Sequence, residues 1–284
     1  MDKGARRVGQ GNLSECALQC ITCADPQEKC RLTEIVHGAL EAGELGFDTA
    51  RAPVPIPVPG RPDRPRLVSP RDLPRRRLGS TQGRISLLHA LAHIEFNAIN
   101  LAWDAVYRFR GLPHAFYRDW ARVAFEESRH FRMLSTRLCE LGSAYGRLDA
   151  HNGLWEMACR TAHDPLARMA LVPRVLEARG LDVTPGIIER LTATGDAVSV
   201  EILQVILRDE IGHVEIGTRW YRWLCEARGL APEVTFVQLL EQYMKGEVKR
   251  PFHYAARRQA GFNRQEMQCL EELAARGTGG ADVE

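Results

Sequence analysis

At 284 residues and 31.9 kDa the chain can bury a full core, as one large domain or one domain with appended segments. Its 38 basic residues nearly cancel its 36 acidic ones, which excludes the strongly basic footprint of a dedicated nucleic-acid binder. No apolar run approaches the roughly 18 residues of a membrane span, and the stretch Met1 to Arg7 lacks the apolar segment of a secretory signal, so the expectation is a cytoplasmic protein with no membrane partner.

In chain order, residues 1–50 are expected to form a small helical appendage. Leu13, Ala17, Leu18 and Ile21 recur at helical spacing, and Asp25-Pro26 starts a second run through Leu32, Ile35, Val36 and Leu40. Cys16, Cys20, Cys23 and Cys30 fall here, in a spacing that matches no standard zinc site and without a nearby histidine pair, so free thiols are expected.

Residues 51–80 change character abruptly. Pro53, Pro55, Pro57, Pro59, Pro62, Pro65, Pro70 and Pro74 forbid helix and favour an extended strap. Arg61, Arg64, Arg66, Arg71, Arg75, Arg76 and Arg77 raise the alternative of a phosphate-binding strip for RNA. A solvated connector is favoured, because no aromatic residues interleave for base stacking.

Residues 81–230 read as four long helices. Ser80-Thr81-Gln82 caps the first, periodic from Ile85 to Phe109. The second runs from Ala115 to Leu141 after Gly111-Leu112-Pro113. A loop over 143–153 leads to a third from Leu154 toward Gly180, interrupted or kinked by Pro165 and Pro173. Thr184-Pro185 looks like a fresh cap for a short helix to Thr192, and the fourth long helix runs from Ala197 to Ala227. Residues 231–284 add helices over 234–249 and 264–275 and a Gly-rich tail. No segment alternates like a strand, so the fold class is all-α.

The chemistry lies in a repeated pattern. Glu127 and His130 form a Glu-x-x-His pair on the second helix, and Glu210 and His213 form another on the fourth. Residues three apart share a helix face, so each pair can offer an oxygen and an imidazole nitrogen to one ion. A di-metal carboxylate bundle also needs one inward glutamate from each of the other two helices. Glu95 lies 32 residues before Glu127, and Glu177 lies 33 before Glu210. Equal spacing implies ligands at equal height on antiparallel neighbours. Glu95 also sits on an apolar face, where an unpaired carboxylate is costly to bury and a cation removes the cost.

Either pair alone would read as a solvated surface pair; the joint pattern reverses that reading. Glu177 is the weakest member, between Pro173 and Gly180, with Glu189 or Glu201 as substitutes. Four carboxylates and two imidazoles suit two ions, iron first and manganese second. His93 is read as a packed or second-layer histidine, Glu126, Asp209 and Glu215 as belonging to neighbouring faces, and Tyr107, Tyr117 and Tyr221 as packing. Asp209 or Arg208 is a candidate to steer a metal-bound imidazole.

These residues carry a resemblance. With Glu95, Glu127, His130, Glu177, Glu210 and His213, the chain resembles the ferritin-like superfamily of di-iron carboxylate proteins. It looks most like a bacterial ferritin-like family sometimes mislabelled as rhamnosyltransferase, through Pro59 to Pro62, His89 to Glu95, Leu176 to Asp182 and Arg208 to Val214. The Leu176 to Asp182 stretch strengthens Glu177. The likeness implies a four-helix bundle and no settled substrate. A more distant likeness to di-iron tRNA hydroxylases implies oxygen activation on a modified nucleoside.

The expected function is therefore an oxygen-activating di-iron oxidoreductase or hydroxylase, with those six residues as ligands and catalytic centre. Its partners would be dioxygen, an electron donor, and a small molecule or modified nucleoside as substrate. The alternatives are a non-catalytic iron handler or peroxide scavenger, and a tRNA-modifying hydroxylase that uses the arginine strip.

Overall fold

The computed structural model describes residues 11–47, 52–73, 78–244 and 248–278. Arg75, Arg76 and Arg77 of the strap and the last residues of the Gly-rich tail lie outside them. The chain divides into two compact units, Met1–Arg160 and Thr161–Glu284, and both are mostly helical.

The first unit opens with α1 (Leu13–Thr22) and α2 (Pro26–Glu41), as the periodicity predicts. Asn12 and Asp25 cap them, each side chain accepting from first-turn amides, and Pro26 occupies a position whose N–H would be unused. A two-residue parallel pairing of β1 (Gly11–Asn12) with β2 (Leu45–Gly46) closes the appendage on itself. Lys29 on α2 is wholly buried. Its ammonium donates to the carbonyls of Cys20 and Ile21 at the end of α1 and to Asn100 on the next long helix. A cation there satisfies carbonyls that the end of α1 leaves open.

That next helix is α3 (Thr81–Arg108), capped by Ser80. It turns at Gly111 and returns as α4 (His114–Glu140), and the two pack along their length. α1 lies on α3 and α2 on α4. The short α5 (Gly153–Arg160) completes the unit. The strap is extended, with one short 3-10 turn over Pro70–Asp72, and it is bound to this unit by backbone and ring donors. The Val54 amide donates to the Tyr107 hydroxyl, the Trp155 indole to the Pro57 carbonyl, and the Gly60 amide to the Ile21 carbonyl. At Gly60 a Cβ would stand 2.1 Å from the Thr22 carbonyl oxygen, so only glycine lets the strap approach α1. Arg61 donates to the carbonyls of Pro62 and Pro65, and Arg66 pairs with Asp149.

The second unit contains the interrupted third helix. Asp164 caps α6 (Pro165–Leu171); a π-helical turn follows over Val172–Glu177, and α7 (Ala178–Ala193) continues from it. A proline lacks the N–H of the normal ladder and crowds the preceding turn, and the wider π turn relieves that crowding at Pro173. The expected fresh start at Thr184-Pro185 is corrected: α7 runs through Pro185. Its packing on α8 (Ala197–Ala227) and α10 (Tyr254–Gln259) keeps the helix continuous across the one amide that proline removes. α8 matches the predicted span.

α9 (Pro232–Met244) and α11 (Arg264–Thr278) correspond to the expected C-terminal helices, and α10 lies between them, too short to show a period. The buried Asp182 accepts from Arg257 and from the His253 amide, which ties α10 to α7. No described helix is long and apolar enough to cross a membrane.

Candidate metal centre

Helix α3 presents Leu88, Ala92, Phe96, Ile99 and Ala102 to the interior, and Glu95 falls in the same stripe. On α4 the inward stripe is Val123, Ala124, Phe131, Leu134 and Leu138, with Glu127 and His130 inside it. Neighbouring Glu126 sits one residue, about 100°, around the axis and is only half-buried. The three inward polar groups are nearly sealed: Glu95 is 3% exposed, Glu127 0% and His130 1%.

They are also adjacent. His130 Nδ1 lies 3.3 Å from Glu95 Oε2 and 3.2 Å from Glu127 Oε2, and the ligand atoms of all three fall within 4.8 Å of one another. Burial, and then the negative charge of Glu127, push the Glu95 carboxyl well above the usual carboxylate range. Two carboxylates in a dry pocket resist joint ionisation, and a divalent cation between them reverses that preference. Two oxygens and one imidazole nitrogen within reach of a common point form a donor set that could hold a metal ion, of the kind iron, manganese or zinc accept.

The second unit repeats the Glu-x-x-His element on α8. Glu210 is 8% exposed and His213 0%, with Glu210 Oε2 3.8 Å from His213 Nδ1. Glu177, the weakest sequence candidate, is the last residue of the π turn and is half-buried. Among the described residues of this unit, it does not join Glu210 and His213 in a close three-ligand group. The substitutes Glu189 and Glu201 are exposed.

His93 is a packing residue, as its face predicts. Its Nδ1 lies 2.9 Å from the Tyr145 hydroxyl and its Nε2 3.2 Å from the His151 carbonyl, and burial pushes its pKa down to about 4. His89 Nε2 accepts from the amides of Gly146 and Leu148. Together the two histidines pin the 145–151 loop onto α3. Tyr145 then packs edge-on against Phe131 at 5.0 Å between centroids and tilted against Phe96 at 5.6 Å. Phe96 and Phe131 follow Glu95 and His130 directly in sequence, about 100° further around each helix, and their contact joins α3 to α4 beside the residues that carry the cluster. Tyr145 and Asn97, which contacts His93, were missed in the sequence; a loop has no period to mark an inward tyrosine.

The hydroxyls of Tyr117 and Tyr221 donate to the carbonyls of Phe109 and Pro232, and that of Tyr107 accepts from Val54. Arg208 bonds its neighbour Asp209. All eight cysteines are free thiols, and Cys16, Cys20, Cys30 and Cys225 are buried.

A family model described as "Protein of unknown function (DUF455)" matches residues 22–268, which includes every helix that carries a candidate ligand. The chain belongs to the DUF455 family. A relative from Haemophilus influenzae (strain ATCC 51907 / DSM 11121 / KW20 / Rd), described as "Uncharacterized protein", is 46% identical over 260 residues, covering 88% of this chain and 90% of its own. No solved structure matches. The DUF455 match spans Glu95, Glu127, His130, Glu177, Glu210 and His213 alike.

Proposed function

We propose that Glu95, Glu127 and His130 in the first unit, and Glu177, Glu210 and His213 in the second, are metal ligands of the kind that ferritin-like di-metal carboxylate proteins use. The protein is then an oxygen-activating oxidoreductase of the hydroxylase type. The observation that carries this reading is the sealed Glu95, Glu127 and His130 cluster, whose charges are expensive to bury without a cation. The matched spacings of 32 and 33 residues support extending it to the second Glu-x-x-His pair.

A pair of iron ions, or iron with manganese, supplies two-electron chemistry toward dioxygen when bound by such a donor set. The residues of this chain do the rest. Glu95, Glu127, Glu177 and Glu210 would balance the ions' charge with carboxylate oxygens, and His130 and His213 would each give a neutral nitrogen. Phe96, Phe131 and Tyr145 pack on one another and hold α3 and α4, which carry Glu95, Glu127 and His130, in place. The substrate is a small molecule or a modified nucleoside.

Metal analysis of the full chain produced in iron-supplemented cells tests the proposal. It should find about two metal ions per chain, with loss of most of the metal in Glu127→Ala and Glu210→Ala. Well under one ion per chain, unchanged by either substitution, would overturn it.

A further inference from the structure

The π turn that carries Glu177 is gripped at two adjacent residues. The Pro173 ring fills a notch at Gly217 of α8, where an added Cβ would lie 2.3 Å from the proline Cβ and Cγ. The next residue, Arg174, is fully buried, with its guanidinium 4.5 Å from the ring centroid of Tyr221, also on α8, 4.1 Å from Phe236 and 4.7 Å from Phe262. Three aromatic faces suit a guanidinium, but the charge still needs a counter-ion in so dry a place. Glu266 supplies it: Arg174 Nη2 donates to Glu266 Oε1, and both side chains are sealed from solvent.

Glu266 has a second task. Its other oxygen accepts from the Asn263 amide at 2.9 Å and from Arg222 at 3.2 Å, while Asn263 Oδ1 accepts from the Glu266 amide. That reciprocal pair is a capping box at the start of α11, so the first turn of α11 and the π turn share one carboxylate.

We propose that Arg174 and Glu266 are positioning residues for the metal centre: by holding the π turn in its widened register, the C-terminal helix fixes where Glu177 stands. The inference rests on the reading of Glu177 as a metal ligand. A π turn carries one residue more than an α turn, and a lapse to α register would rotate Glu177 by about 100° relative to α6. Pro173, seated at Gly217, and Arg174, held by three rings and Glu266, resist that rotation.

The test is Glu266→Gln in the full chain. Glutamine keeps the capping box and removes the charge that Arg174 faces. In the metal-free protein, amide exchange over 172–177 should accelerate at least about tenfold, while the centre of α8 exchanges as in the wild type. Mn²⁺ titrated into the metal-free protein should bind the variant about 10- to 100-fold more weakly, the usual effect of losing a group that orients a ligand. Because the effect runs through Glu177, Glu177→Ala and the double variant Glu177→Ala/Glu266→Gln should bind Mn²⁺ alike.

Wild-type Mn²⁺ affinity in Glu266→Gln, or equal further weakening on both backgrounds, would overturn the inference. Wild-type affinity in Glu177→Ala would instead overturn the reading beneath it. Arg174→Lys, which keeps the charge and loses the fork, is expected to behave as Glu266→Gln does and serves if that variant does not fold.

Discussion

Glu127 illustrates how little a single residue says until its neighbours are placed. In the sequence it is one of two adjacent glutamates, and helical phase alone assigns Glu126 outward and Glu127 inward, as the structure has them. Its cost is also local. With Glu95 beside it and no cation, one buried carboxylate repels another, so Glu127→Gln should stabilise the metal-free protein by roughly 1–3 kcal/mol. The same change should lower the thermal midpoint of metal-loaded protein. Calorimetry with and without metal checks the reversal; destabilisation in both states would show that Glu127 is held by the protein alone.

Lys29 is the opposite case, a buried charge that sequence gave no reason to notice. It reads as an ordinary polar position in an amphipathic helix, because its partners are two backbone carbonyls and Asn100, 71 residues away. Lys29→Met strands those acceptors and should cost about 2–4 kcal/mol at pH 7. Burial pushes the lysine from its ordinary 10.5 down to about 8, so the folded chain releases the proton before the unfolded one does. Above pH 8 the unfolded chain holds the extra proton, and stability rises with pH as far as about 10.5. Urea melts at pH 8 and pH 10 should show the wild type gaining on Lys29→Met, by a difference on the order of 3 kcal/mol at full release. A constant difference across that range would mean the ammonium titrates normally.

Among the elements, the long helices were legible because their period is long and, before α3, the Ser80 cap is explicit. The strap was legible as non-helical from its prolines. Its path was not, since the carbonyls that hold it are sequence-blind and only Gly60 hints at a close approach.

The third helix divided the signals. Pro173 announces a disturbance, and the structure makes it a π turn; Pro185 announces another, and α7 absorbs it. Local chemistry names the stressed residue, and packing on α8 decides the response. Gly217 is the counterpart of Pro173, so Gly217→Ala should push the proline ring out of its notch and lower stability by about 1–3 kcal/mol in denaturant titrations. A variant as stable as the wild type would show that the π turn is not seated there.

For the whole molecule, the all-α class follows from the absence of strand periodicity, and the described residues bear it out, with two residues each in β1 and β2 and an isolated bridge between Leu67 and Ala150. The Glu95, Glu127 and His130 grouping was legible from the spacing, because antiparallel helices joined by a short turn bring residues about thirty apart to one height. Glu210 with His213 was legible from the repeated motif. Tyr145, Arg174 and Glu266 were not, since each earns its place only through tertiary contacts.

On the proposed reading, the two Glu-x-x-His elements serve metal ions. Anomalous scattering from crystals of the full chain, collected on either side of the iron and manganese absorption edges, tests it directly. Two strong peaks are predicted, one against Glu127 and His130 and one against Glu210 and His213, with the iron-edge signal dominant. Crystals grown with both metals available that show no peak at either pair would contradict it.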